Sequence, residues 1–302
     1  MSLFLRIEKS LHIHFDRAAD PTSPPRLLAA MRHAVFSGGA RIRPQLVMAV
    51  AIACGDKNPE LTNAAAVAIE LMHCASLVHD DMPAFDNADT RRGKPTVHKA
   101  FGEPLALLTG DALIVMAYQV LLNAGMEQPK RLARLMQNLT SGVGLPGGIV
   151  AGQAWECEVT ADLGQYQRAK TGALFVASTC AGALACDADP KPWIALGAHL
   201  GEAYQVADDI RDVLGQAEML GKPTGQDVLN GRPSSASALG LGGAVRYFEG
   251  LMDKAVSSVP KCASRALMQD MVRQEAERLV PIETRTNYRV TSALPACKLA
   301  LG

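Results

Sequence analysis

Apolar side chains recur along most of the chain at helical spacing, and the strict alternation of apolar and polar residues that marks a half-buried strand is nearly absent. Ala, Leu, Met, Gln, Glu and Arg, all good helix formers, occur throughout, and aromatic residues make up only 5% of the chain. The pattern predicts an all-α fold. No repeat or domain boundary interrupts it, so residues 1–302 are predicted to form a single domain.

Glycine and proline residues mark where the predicted helices begin and end. An early helix is expected to start with Ser23 as its N-cap and to end at Gly38 and Gly39. Residues 234–243 are expected to be flexible, and residues 281–302 give no interpretable pattern. Further helices are predicted over residues 63–79, 104–125, 128–143, 166–187, 191–214, 244–257 and 261–279.

Composition limits the classes of partner and compartment. Lys plus Arg and Asp plus Glu balance at 30 each, so no nucleic-acid partner is expected. The seven cysteines are an odd number with no Cys-x-x-Cys pair, which favours a reducing cytoplasm over a disulfide framework or a zinc site. Apolar stretches at residues 112–126 and 172–186 are too short to span a bilayer, so no membrane span is expected.

Two aspartate-rich clusters lie far apart in the sequence, and cations follow both: Arg91, Arg92 and Lys94 after the first and Lys222 after the second. The clusters consist of Asp80, Asp81 and Asp86, and of Asp208, Asp209 and Asp212. Carboxylates this dense repel one another unless cations compensate them. Sets of oxygen ligands favour Mg²⁺, which binds through a few carboxylates together with substrate phosphates. Two such clusters across a helical cavity would hold a diphosphate through bridging metal ions.

The second cluster fits a helix face. Asp208 and Asp212 are four residues apart and point the same way, while Gln205 lies one turn before Asp209 on a neighbouring face. A metal site with an amide nearby is one interpretation. A solvated acidic helix end is the alternative, and the presence of two clusters argues against it.

The clusters and their surroundings resemble those of the trans-isoprenyl diphosphate synthases. Residues 77–98 read LVHDDMPAFDNADTRRGKPTVH, which is similar to the first aspartate-rich motif in its bacterial form, and residues 204–212 read YQVADDIRD, which is similar to the second. Further similarities, in the family's order, are GGARIRP at residues 38–44, LTGDA at 108–112, GQ at 152–153, KT at 170–171 and LGKPTGQD at 220–227. The resemblance covers roughly residues 27–235 and implies a helical bundle of the isoprenoid synthase type with a central cavity.

The reaction that the resemblance implies is head-to-tail prenyl transfer. An allylic diphosphate (dimethylallyl, geranyl or farnesyl) ionises, the carbocation alkylates isopentenyl diphosphate, and a proton is lost. The implied cofactor is Mg²⁺, three ions in number, with Mn²⁺ as a substitute, and the implied assembly is a homodimer. By family position the ligands are Asp80, Asp86 and Asp208, supported by Asp81, Asp209 and Asp212; Arg91, Lys170 and Lys222 clamp the allylic diphosphate, and Thr171 and Gln205 face the developing cation.

Isopentenyl diphosphate must be held without metal, because it must not ionise. By resemblance Arg43, His73 and Arg92 bind it, but Ala40 stands where the family has a lysine, which predicts weaker binding unless Arg41 or another cation substitutes. Without the motif, His73 would be read as a core histidine. Gln153 and Glu156 share a helix face, either as partners of the metal site or as a buried polar pair, and His98 is expected to be structural.

Product length is predicted from the helix before Asp80. Ala75 and Ser76 lie one turn below the diphosphate, where family members that stop at fifteen carbons tend to carry an aromatic residue. Their small size predicts a pocket that continues to Met72 and to residues 115–118 of the facing helix, and a twenty-carbon product, as in bacterial geranylgeranyl diphosphate synthases of pigment pathways. The alternative is an earlier stop at Met72 or Tyr118, which would give farnesyl diphosphate.

Other activities fit the sequence less well. A class I terpene cyclase typically carries Asn-x-x-x-Ser-x-x-x-Glu as its second metal motif, which residues 208–212 do not match. A non-catalytic regulatory subunit of a prenyl synthase tends to lose one aspartate cluster, and this chain keeps both. A phosphohydrolase of the His-Asp type is suggested by His79 and Asp80, but the other histidines of that site are not recognisable.

Overall fold

The computed structural model describes residues 2–160, 162–214 and 235–291, and their fold is all-α, as predicted. The helices are α1 Leu3–Ala18, α2 Pro25–Val35, α3 Ile42–Ala53, α4 Pro59–Asp80, α5 Val97–Phe101, α6 Glu103–Gly125, α7 Pro129–Val143, α8 Ile149–Ala154, α9 Leu163–Gln167, α10 Ala173–Ala185, α11 Ile194–Leu214, α12 Ser235–Ser258, α13 Arg265–Leu279 and α14 Ile282–Thr291. A π-helical turn, Arg168–Gly172, joins α9 to α10, and 3₁₀ turns lie at Trp155–Cys157 and Lys191–Trp193. Two short antiparallel strands, β1 Thr90–Arg91 and β2 Lys94–Pro95, form a hairpin.

Helix α10 joins the two halves of the core. Leu174 and Ala177 pack into an apolar cluster built largely from α1, α4, α6 and α7. Phe175 and Ala183 pack into a second cluster, built largely from α11, α12 and α13. A helix that is apolar on all sides is expected where it is surrounded by protein. The bundle therefore places α4 and α11, which carry the aspartate clusters, on either side of α10.

Two local predictions were wrong, and one segment for which no prediction was made contains a helix. The Ser23 hydroxyl donates to the Ala18 carbonyl at 2.9 Å and does not cap α2, whose N-cap is Pro24. Residues 235–243 belong to α12, and only Gly240, at φ +67°, departs from helical geometry among them. Part of the uninterpretable C-terminal segment is helix α14.

By length and composition, helices α4 and α6 could each cross a membrane. The apolar stretch at residues 112–126 was predicted to be too short, but it belongs to α6, which runs for 23 residues. Inside the fold, 78% of the most apolar window of α4 and 44% of that of α6 are buried. These two helices pack against each other. Core helices commonly pass the same test, so burial, rather than length, is the relevant observation.

Candidate active site

A cavity of about 990 Å³ lies between α4, α6, α8, the π-helical turn and α11. Among its lining residues are Arg43, His73, Ala75, Ser76, Asp80, Asp86, Arg91, Arg92, Gln153, Lys170, Thr171, Gln205, Asp208 and Asp212. The structure thus brings together most of the site residues that the sequence predicted. Asp81, Glu156 and Asp209 do not line the cavity and contact residues that do. Lys222 falls outside the described residues.

The first aspartate cluster forms where α4 ends. Asp80 is the last residue of the helix, and the following turn brings the chain back so that the Asp86 N–H donates to the Asp80 carbonyl at 3.0 Å. The five intervening residues, among them Pro83, therefore form a turn that returns the third aspartate to the first. Asp80 and Asp86 both face the cavity as a result.

Cations hold the carboxylates of this cluster. Arg91, from β1, donates through Nε to both oxygens of Asp81 at 2.7 and 2.8 Å, and its Nη2 lies 3.9 Å from Asp80. Burial works against the charge of Arg91, but the neighbouring carboxylates outweigh it and raise the pKa of the guanidinium. Lys170 donates to Asp80 at 3.3 Å and also to Glu156. The buried Asp81 thus fixes the arginine rather than facing the cavity itself.

Close helix packing positions Lys170. It lies in the π-helical turn, a geometry frequent at functional sites. A Cβ on Gly152 would lie 2.2 Å from the Lys170 backbone nitrogen, and one on Gly201 would lie 2.6 Å from the Gly172 Cα. The absence of side chains at these two glycines lets α8 and α11 approach the turn. This explains physically why glycine precedes Gln153 in the sequence.

A hydrogen-bonded chain connects the π-helical turn to the second cluster. Thr171 Oγ1 donates to Gln205 Oε1 at 2.9 Å, and Gln205 Nε2 donates to Asp209 Oδ1 at 3.1 Å. Asp209 is buried, whereas Asp208 and Asp212, one helical turn apart, face the cavity. Arg211 donates to Asp208. The predicted helix face is observed, and the second aspartate of each cluster serves as an anchor inside the protein.

The carboxylates of the cavity suit a divalent cation that shares its coordination with a phosphate. Asp80, Asp86, Asp208 and Asp212 offer hard oxygen donors from two helices to one cavity. Across the described ranges, however, no three His, Cys, Asp or Glu side chains converge to hold an ion by themselves. Mg²⁺ commonly binds through one or two carboxylates, waters and substrate phosphates, so the donor set fits that ion.

Arg43, His73 and Arg92 form a cationic end of the cavity. Arg92 donates to the Gly38 carbonyl, and a Cβ on Gly39 would lie 2.7 Å from its guanidinium, so the glycine pair forms the seat of this arginine. Arg43 lies with Nη1 3.4 Å from His73 Nε2. Burial, followed by the nearby arginines, lowers the pKa of His73 well below 6.5, so the imidazole is neutral.

Arg41 does not substitute for the family lysine. It is 4% exposed, in a left-handed conformation at φ 51°, and it pairs with Glu8 and with the buried Glu70, each at 2.7 Å. These contacts tie the start of α3 to α1 and α4. Ala40, the residue before it, lines a separate small cavity. The suggestion that Arg41 replaces the missing ammonium is therefore wrong.

The opposite end of the cavity is apolar. Ala75 and Ser76 line it as predicted. The Ser76 hydroxyl donates a hydrogen bond to the His73 carbonyl at 2.8 Å, so this polar group is satisfied within α4. Met72 and Ile114 line the cavity beyond them. The α6 residues that line the cavity are Leu107 and Ile114, so the prediction of residues 115–118 is wrong: Val115 is 55% exposed, and Tyr118 does not line the cavity.

Sequence reasoning missed several residues of the site. Tyr166 donates to Glu156 at 2.7 Å, and Gln153 donates to the other oxygen of that carboxylate at 3.2 Å. Gly110, within the LTGDA segment, leaves room for the His79 ring, since a Cβ there would lie 2.0 Å from Nε2. His98 is buried and contacts Thr96 at 3.0 Å, in keeping with a structural role. The motif segments contained these signals, but their spatial partners could not be read from spacing.

Comparison with known proteins agrees with the geometry. Residues 24–254 match the polyprenyl synthetase family. The chain is 50% identical to the geranylgeranyl diphosphate synthase of Cereibacter sphaeroides over 94% of its length and 98% of the relative's, and 49% identical to that of Rhodobacter capsulatus over 93% and 98%. A solved geranyltransferase of Helicobacter pylori, complexed with magnesium and isoprenyl diphosphate, superposes with a TM-score of 0.75 at 29% identity, covering 96% of both chains.

The helical bundle brings residues of both aspartate clusters to one cavity. Its sequence also matches the family over most of its length. The chain belongs to the polyprenyl synthetase family.

Proposed function

We propose that this protein is a geranylgeranyl diphosphate synthase that condenses isopentenyl diphosphate with dimethylallyl, geranyl and farnesyl diphosphates. The observation that carries the proposal is that one cavity combines carboxylates at the end of α4, in the following turn and on α11, a cluster of arginines, and small and apolar residues. A diphosphate fits the charged end. A growing prenyl chain fits the apolar end, beside Ala75 and Ser76.

The chain's own residues divide the work of the reaction. Breakage of the allylic C–O bond leaves negative charge on the diphosphate and positive charge on the prenyl carbon. Lys170 and Arg91, on one side of Asp80, stabilise the departing anion, and the oxygens of Thr171 and Gln205 face the cation. The new C–C bond then forms, and the released diphosphate accepts the proton. The neutral His73 and the guanidinium of Arg43 hold isopentenyl diphosphate without promoting its ionisation.

Members of the family use divalent metal to bind diphosphate. We propose Mg²⁺ here, in three ions, with Mn²⁺ as a substitute, held by Asp80, Asp86, Asp208 and Asp212. Such an ion would offset the charge that develops on the diphosphate when it leaves.

A defined incubation tests the proposal. Isopentenyl diphosphate with each allylic diphosphate and Mg²⁺ is expected to give a twenty-carbon diphosphate, and excess chelator is expected to abolish its formation. A cyclised hydrocarbon from the allylic substrate alone would identify a terpene cyclase. The absence of product under all conditions would favour a regulatory subunit.

We also propose a cytoplasmic homodimer. The six described cysteines are all free, which supports a reducing compartment. On α6, Leu108, Val115 and Leu122 recur at seven-residue spacing and are each between 43% and 55% exposed, which forms an apolar face suited to a second copy of the chain. Sedimentation analysis is expected to give a dimer for the native chain and a monomer for Val115→Glu. A native monomer would contradict this.

A further inference from the structure

A second cavity, of about 250 Å³, lies where the start of α3 meets α11 and α13. Ala40 lines it, at the position where the family has a lysine, and so do Glu275 and Arg278 of α13. A longer side chain at position 40 would extend into this space. The family's lysine side chain at position 40 and the guanidinium of Arg278 would therefore lie in the same region of the molecule.

Tyr204 connects this region to the main cavity. It lines the main cavity, and its hydroxyl lies 2.5 Å from Arg278 Nη2 and also donates to Glu275. The Tyr204 ring packs against Phe175 with centroids 4.7 Å apart, and the guanidinium of Arg43 lies 4.4 Å over the Phe175 ring. Arg278 thus contacts a residue that lines the main cavity, and two side chains, Tyr204 and Phe175, lie between it and Arg43.

Arg278 retains the freedom to change partners. Its side chain is 43% exposed, and Glu275, its ionic partner, is three residues away on the same helix. Glu275 itself is only 12% exposed, so the exposed partner of the pair, and the one that solvent or a ligand can reach, is the guanidinium. A guanidinium also binds phosphate oxygens in a bidentate manner. A bound diphosphate would offer the guanidinium a better partner than Glu275. The Glu275 carboxylate would then keep its hydrogen bond from Tyr204.

We propose that Arg278 supplies the cation that position 40 lacks, and that it binds the diphosphate of isopentenyl diphosphate together with Arg43, His73 and Arg92. The inference rests on the proposed function. It assigns to α13 a part in substrate binding and explains how an alanine at position 40 is compatible with activity.

Steady-state kinetics with both substrates test the assignment. Arg278→Gln, which keeps a hydrogen-bond donor near Tyr204 without the charge, is expected to raise the KM for isopentenyl diphosphate by about tenfold and to leave that for farnesyl diphosphate within about twofold. Ala40→Lys is expected to restore the lower KM in the Arg278→Gln background and to change little in the native chain. Arg273→Ala, which breaks the equivalent Arg273–Asp270 pair on the same helix, is the matched control.

Each outcome decides the matter. An unchanged KM in folded Arg278→Gln, an equal rise in both KM values, or failure of Ala40→Lys to restore binding would overturn the inference. If Arg278→Gln does not fold, Arg278→Met, which keeps a long unbranched side chain without the charge, provides the comparison: a rise in the KM for isopentenyl diphosphate alone supports the proposal, and an unchanged KM or an equal rise for both substrates overturns it. A native chain that condenses nothing would refute the proposed function instead.

Discussion

At the scale of single residues, two of the cavity-facing carboxylates, Asp80 and Asp208, contact cations in different ways. Asp80 lies 3.3 Å from Lys170 and 3.9 Å from Arg91, whereas Asp208 receives a hydrogen bond from Arg211 on its own helix. When Asp80 is replaced, Lys170 keeps Glu156 and Arg91 keeps Asp81 as partners, and when Asp208 is replaced, Arg211 keeps its hydrogen bond to the Ala207 carbonyl. The fold should therefore tolerate the loss of either carboxylate.

Asp80→Ala and Asp208→Ala are each expected to lower kcat by orders of magnitude, because stabilisation of the departing diphosphate supplies several kcal/mol of the barrier reduction. The measurement is turnover with saturating substrates and Mg²⁺, with circular dichroism to verify helicity. Asp270→Ala, at an exposed aspartate of α13, is the control. Near-native turnover in either cavity variant would refute the role of the aspartate clusters.

His73 makes stability depend on pH. Its pKa lies well below 6.5 in the folded protein because of burial and the neighbouring arginines, whereas in the unfolded chain it takes up a proton near 6.5. The stability that it contributes is present above about pH 6.5 and is lost as the pH falls from there toward the lower, folded pKa.

His73→Gln is expected to reduce the loss of stability between about pH 7 and about pH 5.5 by about 1 kcal/mol per pH unit at most. The free energy of unfolding in urea, measured across this range, tests it. His14 and His98 contribute in the same direction, so part of the slope should remain. His12→Gln, at an exposed imidazole, is the comparison. Equal slopes in the native and His73→Gln proteins would contradict the assignment.

At the scale of elements, the site depends on helices that approach closely at glycines. Gly152→Ala is expected to destabilise the protein by roughly 1 to 3 kcal/mol and to lower kcat, because the new methyl would meet the backbone of Lys170 at 2.2 Å. Thermal unfolding and turnover measure the two effects. Gly250→Ala, in open space on α12, is the matched control and is expected to be neutral or to stabilise by up to about 1 kcal/mol. If Gly152→Ala and Gly250→Ala have equal stability and equal turnover, the structure accommodates the methyl at Gly152 at little cost in free energy.

The elements also show which parts of the fold and the site could be predicted. Helix periodicity located α4 and α11 to within a few residues, and four-residue spacing placed Asp208 and Asp212 on one face. The start of α12 was missed because small residues such as Ser235 and Gly243 have weak helix propensity, so the local sequence does not predict a helix there. The networks around Glu156 and Arg41 were missed because they join residues distant in sequence. Spacing within one helix carries no information about such partners.

At the scale of the whole molecule, we expect the length of the cavity to determine the length of the product. Ala75 and Ser76 line its apolar part, with Met72 and Ile114 beyond them. Ala75→Tyr or Ser76→Phe is expected to shift the product from twenty to fifteen carbons with little loss of the first condensation, because a ring would fill the space that the longer chain needs. Sizing of the dephosphorylated products measures this.

Ser76→Ala, which retains a small side chain, is the control and should leave the product unchanged. A native product of fifteen carbons would place the barrier elsewhere, at Met72 or on another helix. Failure of both bulky substitutions to shorten the product would do the same.

Helix α6 serves two surfaces at once. Ile114 borders the apolar end of the cavity, and its neighbour Val115 belongs to the exposed apolar face. The helix that borders the space for the hydrocarbon chain would therefore also contact the second copy in the proposed dimer. Dilution below the dissociation constant of the proposed dimer is expected to broaden the distribution of product lengths. Substitutions on this helix that change the product would also have to preserve the contact with the second copy.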